Sequence, residues 1–146
     1  MENLTDSMKI LAAIVTHNRC ELLERCINHL QKQTRLPDSI LVVNNGSTDA
    51  TVDMLMRRNI QHITQENLGS AGGWNRCISY ALEHHFDAVW LMDDDGFPSP
   101  SALERLESNL DTDTACVSSV VLREKDRKRL VFPFPVLDDK QLPVIF

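Results

Sequence analysis

Two hydrophobic patterns alternate along the chain: short continuous apolar runs, and longer stretches in which apolar residues return at helical spacing. ILAAIVT (Ile10 to Thr16) has strand length and no polar alternation. In the following HNRCELLERCINHLQKQT, Leu22, Leu23, Cys26, Ile27 and Leu30 fall on one helical face. Asn18 and Glu21 have the spacing of a capping box, which predicts a helix start near Arg19, and Pro37 breaks the pattern. ILVVN (Ile40 to Asn44) predicts a second buried strand, and NGSTD a turn into a short helix over 50–58. IQHIT (Ile60 to Thr64) predicts a third, weaker strand. NLGSAGG predicts a glycine-rich loop entering a helix through Trp74, Ile78, Ala81 and Leu82. AVWLM (Ala88 to Met92) is too apolar for a half-exposed strand and predicts a fourth buried one. Ser99 and Pro100 predict the cap and first turn of a helix through Leu103 and Leu106. ACVSSVVL reads as a fifth strand.

Strands that alternate with helices and are apolar on both faces predict an α/β fold, a mostly parallel sheet covered by helices on both sides. The 146 residues suit a single domain. In such sheets ligands bind beyond the carboxyl ends of the strands. Thr16-His17-Asn18-Arg19, Asn44 to Asp49, Asn67 to Gly73 and Asp93-Asp94-Asp95 all stand there. Polar chemistry gathers on one rim.

The aspartate triplet is the sharpest feature of that rim. Unit charges ~4 Å apart repel by about 4 kcal/mol at an effective dielectric of 20. A solvated turn before a helix would tolerate this, but the position behind a buried strand favours a divalent-cation site. Mg2+ commonly takes one or two carboxylates and completes its shell with substrate phosphates. The glycine segment GSAGGWNR is neither a dinucleotide fingerprint nor a P-loop. A ligand loop, with Arg76 a turn into the next helix, and a simple tight connection both stay open. NNGSTD, taken alone, is a turn signal.

Composition narrows the picture further. A net charge of −6 argues against a nucleic-acid partner, and the basic cluster REKDRKR (Arg123 to Arg129) is interrupted by acids, as a solvated face would be. The four cysteines form no CxxC pair and read as structural thiols in a reducing compartment. His62, His84 and His85 have no metal-ligand spacing, Trp74 and Trp90 read as core, and no nucleophile elbow is present. The amino terminus is not a secretory signal and no run reaches membrane-spanning length. A cytoplasmic protein is expected, with peripheral contact at the membrane's inner face left open.

Four segments in order, IVTHNR, LVVNNGSTDAT, ENLGSAGGWNRCISYAL and VWLMDDDGFPSPSALERL, resemble the donor-binding half of family-two glycosyltransferases with the GT-A fold. The resemblance runs from Ile10 to Leu106 and is greatest to the rhamnosyltransferase and galactofuranosyltransferase branch. It implies a UDP- or dTDP-sugar donor, a polysaccharide or glycolipid acceptor, and Mg2+ or Mn2+ as cofactor. Residue by residue, it implies that Thr16, Asn18 and Arg19 line the nucleoside pocket. Asn44 stands where the family usually has an aspartate that accepts from the base. Asn67 and Arg76 match the segment beside base and diphosphate. Asp93-Asp94-Asp95 matches the D-x-D motif, with Asp93 and Asp94 on the nucleotide sugar and Asp93 and Asp95 as metal ligands. His17 replaces an aromatic residue common at its position.

An inverting enzyme of this kind needs a base to deprotonate the acceptor hydroxyl, and the family carries it in a second half beyond the D-x-D motif. Downstream here, Asp138 and Asp139 are the one adjacent acid pair and read as a surface turn, and the tail LVFPFPVLDDKQLPVIF is apolar and proline-broken. The expectation is a nucleotide-sugar-binding domain without an acceptor half, completed by another chain or forming a homo-oligomer. A non-catalytic nucleotide-sugar-binding or interaction module is the alternative to a glycosyltransferase.

Overall fold

A computed structural model of the chain describes residues 8–111, 113–131, 136–137 and 143–144. Four parallel strands, β1 (Ile10–Thr16), β2 (Ser39–Asn44), β3 (Gln61–Thr64) and β4 (Ala88–Asp93), form a sheet in the order β3-β2-β1-β4. β1 is central and every one of its residues is buried, as its unbroken apolar run requires. Helices α1 (Cys20–Leu30) and α2 (Thr51–Arg57) cover one face, where Leu23, Ile27, Leu30, Met54 and Leu55 meet Ala12, Ile14 and Val42. α3 (Gly69–Glu83) covers the other, packing Cys77, Tyr80 and Ala81 on Leu11, Ala13, Leu41 and Val43. This is the α/β architecture expected from the alternating patterns.

Two aspartates fasten the start of β1 and so set the register of its neighbours. Asp38, just before β2, accepts the Ile10 amide at 2.8 Å, and Asp87, just before β4, accepts the Lys9 amide at 2.7 Å. Each gives its own amide back, Asp38 to the Ile10 carbonyl and Asp87 to that of Lys9, both at 2.9 Å. Arg35 adds an ion pair to Asp38 at 3.1 Å and another to Glu107 at 3.0 Å.

Several elements differ from the sequence reading, each for a physical reason. β4 is half-buried, because it is the edge strand of this sheet, with β1 on one side only. The glycine segment is not a loop: α3 begins at Gly69, so Gly72 and Gly73 lie inside it. The Asn18–Glu21 capping box does not form. Asn18 has φ +53°, and Asp49 from the loop after β2 accepts the Cys20 amide at 3.1 Å instead. Ser99 is not a side-chain cap and Pro100 precedes the helix. α4 (Ala102–Glu107) starts later, where the Gln33 side chain accepts the Leu103 amide at 3.1 Å. ACVSSVVL forms no strand; of its residues, Leu122 alone makes an isolated antiparallel bridge, to Leu130.

The chain divides into two units, Met1–Ser108, which holds the sheet, and Asn109–Phe146. In the second, Leu122 and Leu130 bracket a turn in which Arg129 pairs with Asp126 at 3.3 Å, and its charged residues are largely exposed, as expected for REKDRKR. β5 (Val136–Leu137) and β6 (Pro143–Val144) form a short antiparallel pair. Asp138 and Asp139 lie outside the described residues. Among the described residues no helix is long and apolar enough to cross a membrane.

Gly73 reports on the packing of α3. A Cβ there would stand 2.4 Å from Cγ1 and 2.9 Å from Cγ2 of Val15. Alanine would add about 1 kcal/mol of helix propensity, but overpacking costs about 1–3 kcal/mol, so Gly73→Ala should lower unfolding stability in a urea titration. Asp38 reports on the register. Partial burial pushes its carboxyl up, but the Ile10 amide and the Arg35 guanidinium outweigh this and hold it below the ordinary carboxylate range. A depressed value stabilises the fold above the ordinary carboxylate pKa, and that contribution is lost as pH falls through the depressed value. Asp38→Asn should cost about 1 kcal/mol at neutral pH, because solvent screens this partly exposed carboxylate. The gap from the unaltered chain should close in urea titrations carried down into the acid range.

Candidate functional site

The register delivers the site. β1 and β4 pair with Val15 opposite Asp93, so Thr16 and Asp94, one residue on, come together at the carboxyl end of the sheet. Thr16 Oγ1 donates to Asp94 Oδ2 at 2.7 Å, and both residues are buried. Arg19 Nη1 donates to Asp94 Oδ1 at 3.1 Å. A buried carboxylate needs a partner for each oxygen, and Asp94 has one. The hydrogen bond to Asp94 and its charge hold the Arg19 guanidinium even more firmly protonated than usual.

The triplet therefore splits. Asp94 turns inward, while Asp93 and Asp95 stay exposed. Asp95 meets the same Arg19 nitrogen at 3.4 Å. Desolvation, then the charges of Asp95 and Asp94, push the Asp93 carboxyl above its ordinary value despite the nearby Arg19. Asp93 is thus a poorly compensated negative charge beside a second exposed carboxylate. That fits a hard dication that takes one or two protein oxygens and finds the rest on a ligand. It does not fit a closed protein cage, since the described residues hold no group of three candidate ligands.

The loop carrying the triplet is clamped by α1. His29 Nδ1 donates to the Pro98 carbonyl at 3.0 Å, and Arg25 lies over the Phe97 ring, 3.9 Å from its centroid. Gln33 Nε2 reaches the Ser99 carbonyl at 2.8 Å, and the Thr34 amide that of Pro100 at 2.7 Å. The Gly96 amide closes a turn onto the Asp93 carbonyl at 3.1 Å.

The neighbouring loops knit together. Asn18 Oδ1 accepts the Thr48 amide at 2.7 Å, and the Asn18 amide donates to Ser47 Oγ at 2.9 Å. Asn44 is fully buried; its Oδ1 accepts the Ser47 amide at 3.0 Å and its Nδ2 donates to Thr64 Oγ1 at 3.2 Å. Its amide shapes the loop after β2 from inside. Asn67 Oδ1 accepts the Gly69 amide at 3.0 Å, an Asx turn opening α3. Arg76 is not brought to the aspartates. It pairs at 3.8 Å with Glu83, two turns further along α3.

Two residues that the sequence reading placed on the rim without a role of their own prove to organise it. Asn45, buried, donates to the Gly69 carbonyl at 3.0 Å, accepts from Gln65 at 2.8 Å, and through its carbonyl receives His17 Nδ1 at 2.8 Å. It ties the ends of β1 and β2 to the start of α3. Asp49 holds Cys20 as described and accepts the Thr51 amide at 3.0 Å. Burial pushes its carboxyl up, but hydrogen bonds from Thr51 and Cys20 outweigh that and lower it. Asp two residues before Thr51 at a helix start was the available local signal; nothing local marked Asn45. Burial pushes the Cys26 thiol up to about 12 and that of Cys77 to about 11, so neither is a thiolate nucleophile at neutral pH.

Comparison with known proteins gives a consistent picture. The sequence profile described as Glycosyl transferase family 2 matches residues 12–134. Galactofuranosyltransferase GlfT1 of Mycolicibacterium smegmatis is 33% identical over 135 residues, 89% of this chain and 45% of that protein. The Mycobacterium tuberculosis protein of the same name is 36% identical over 137 residues, 85% of this chain and 43% of its own length. The chain thus spans under half of these relatives. Among solved structures, a mannosyltransferase from Pyrobaculum calidifontis in complex with GDP-Man and Mn2+ superposes with TM-score 0.62 at 24% identity, over 82% of this chain and 37% of that one. S. aureus TarS in complex with UDP superposes with TM-score 0.51 at 20% identity, over 69% and 31%. The fold is the Rossmann-like GT-A fold of these enzymes.

The buried pair at the strand ends can be tested directly. Thr16→Val keeps the β-branched shape but leaves Asp94 Oδ2 without its donor, which should cost about 1–3 kcal/mol in chemical denaturation. Thr16→Ser, which keeps the hydroxyl, should recover most of it.

Proposed function

The chain belongs to glycosyl transferase family 2, and from that premise we propose that its rim binds a nucleoside-diphosphate sugar and presents it for transfer. The donor is a UDP- or dTDP-sugar, with galactofuranose favoured by the named relatives, and rhamnose is the other sugar considered. The acceptor is a polysaccharide or glycolipid. A divalent cation, Mg2+ or Mn2+, would neutralise charge growing on the departing nucleoside diphosphate, which lowers the barrier without a proton transfer.

The observation that carries this reading is the division of the triplet. Thr16 and Arg19 engage both oxygens of Asp94, so the two carboxylates left exposed are Asp93 and Asp95. These two would hold the metal. Asp94 then serves the nucleotide sugar indirectly, by fixing Arg19 and the turn on which its neighbours stand. The loop after β2, shaped from within by Asn44 and braced by Asn18, would form the wall on which the base rests. Asn67 sits where α3 opens, and the α3 amino end would favour the anionic part of the ligand.

A donor-binding role for this segment, with the acceptor base supplied elsewhere, is compatible with a match to under half of the relatives' length. The test is a thermal-shift titration of the chain with UDP and dTDP, each with and without Mn2+ or Mg2+. A rise in Tm with nucleotide and metal together, abolished in Asp95→Ala, is expected. A Tm unmoved by any nucleotide–metal combination overturns the proposal. Incubation of a bound UDP-sugar with lipid-linked glycan acceptors then separates transfer from binding alone: labelled product supports the glycosyltransferase reading, and tight binding without product favours the non-catalytic module.

A further inference from the structure

We propose that Arg19 is a resident counter-cation of the aspartate cluster, which gives up Asp95 when metal and diphosphate arrive and turns to the diphosphate. This rests on the metal-dependent donor site proposed above and assigns within it a role to a residue otherwise placed only beside the nucleoside.

The asymmetry of its two ion pairs carries the argument. Arg19 Nη1 lies 3.1 Å from Asp94, whose side chain is 4% exposed, and 3.4 Å from Asp95, whose side chain is 56% exposed. The first bond is the shorter of the two, meets a buried carboxylate and is backed by Thr16 on the opposite oxygen. The second is long and open to water, the class of ion pair worth little. Asp94 therefore anchors, and Asp95 can exchange its partner at small cost.

The guanidinium suits the exchange. Its contacts with both aspartates use Nη1 alone, and half of its side chain is exposed. A guanidinium presents five N–H donors in a fixed fork that matches phosphate oxygens. A cation held beside Asp95 competes with a metal for that carboxylate, yet offers a positive charge to the anion that a metal brings. Arg19 consequently opposes metal binding alone and favours metal with diphosphate. Coupling of this sign would discourage idle metal loading.

The test measures Mn2+ binding to the full chain by electron paramagnetic resonance, with and without UDP, for the unaltered protein, Arg19→Gln and Arg19→Lys. Removing one nearby positive charge should tighten Mn2+ binding without UDP by about threefold to tenfold. It should weaken UDP binding at saturating Mn2+ by a similar or larger factor. Arg19→Lys, which keeps the charge but loses the fork, should restore the weak binding of Mn2+ alone while recovering UDP binding only in part. Opposite signs in Arg19→Gln support the exchange. Both affinities falling together, or neither moving, overturns it while leaving the donor site standing. No UDP-dependent Mn2+ binding in the unaltered chain overturns the donor site itself and this inference with it. Should Arg19→Gln fail to fold, the guanidinium 15N resonance of Arg19 in the unaltered chain decides: a shift on adding Mg2+ with UDP supports exchange, and a static resonance contradicts it.

Discussion

Everything at the rim depends on the register in which β1 and β4 lie side by side. The aspartates that precede β2 and β4 catch the Ile10 and Lys9 amides where β1 begins, and those local bonds fix alignment along the whole strand. Because side chains alternate faces, a slip of one residue would turn each strand inside out. The observed alignment sets Val15 beside Asp93 and so lets Thr16 meet Asp94. Local polar bonds at one end of the sheet thus decide the chemistry at the other.

That meeting gives three adjacent acids different jobs. The inward residue exchanges hydration for one hydroxyl and one guanidinium, an arrangement that tolerates burial only while both partners stay. Asp93 loses part of its hydration and also faces the charges of Asp95 and Asp94, and the two together raise its carboxyl above its ordinary value. An arrangement strained in this way is one that a dication would relieve. α1 and the turn after it contribute from both ends: Arg19 stands at the amino end of the helix, and Arg25 and His29 on it and Gln33 beyond it grip the segment behind the triplet.

How much of this was legible beforehand follows the range of each interaction. β1 and β2 stand out because continuous apolar residues in a parallel sheet need no information from elsewhere. The aspartate triplet stood out because three charges behind such a run need an explanation. The resemblance already set Asp93 and Asp95 apart as metal ligands, but the inward turn of Asp94 was not visible, since it depends on Thr16, 78 residues away in the chain. The start of α1 was found within a residue, but its cap was misassigned: Asn18 was the nearest candidate, and Asp49, brought by the fold, does the work. ACVSSVVL has strand composition, yet composition supplies no hydrogen-bonded neighbour, and strands exist in pairs. The glycines of α3 left a ligand loop and a tight connection both open; Gly73 instead permits the helix to approach Val15 closely. Asn44, matched by the resemblance to the residue that meets the base, spends its amide on Ser47 in the loop after β2 and on Thr64 at the end of β3.

The central claim is that the exposed carboxylates at the end of β4 meet a metal carrying a nucleoside diphosphate. Crystals of the chain soaked with Mn2+ and UDP, examined by anomalous diffraction at the manganese edge, address it most directly. A manganese peak is expected within bonding distance of an Asp95 oxygen and of the UDP diphosphate, with Asp94 still bonded to Thr16. UDP bound with manganese elsewhere, or manganese on Asp94 with the Thr16 bond broken, would contradict it.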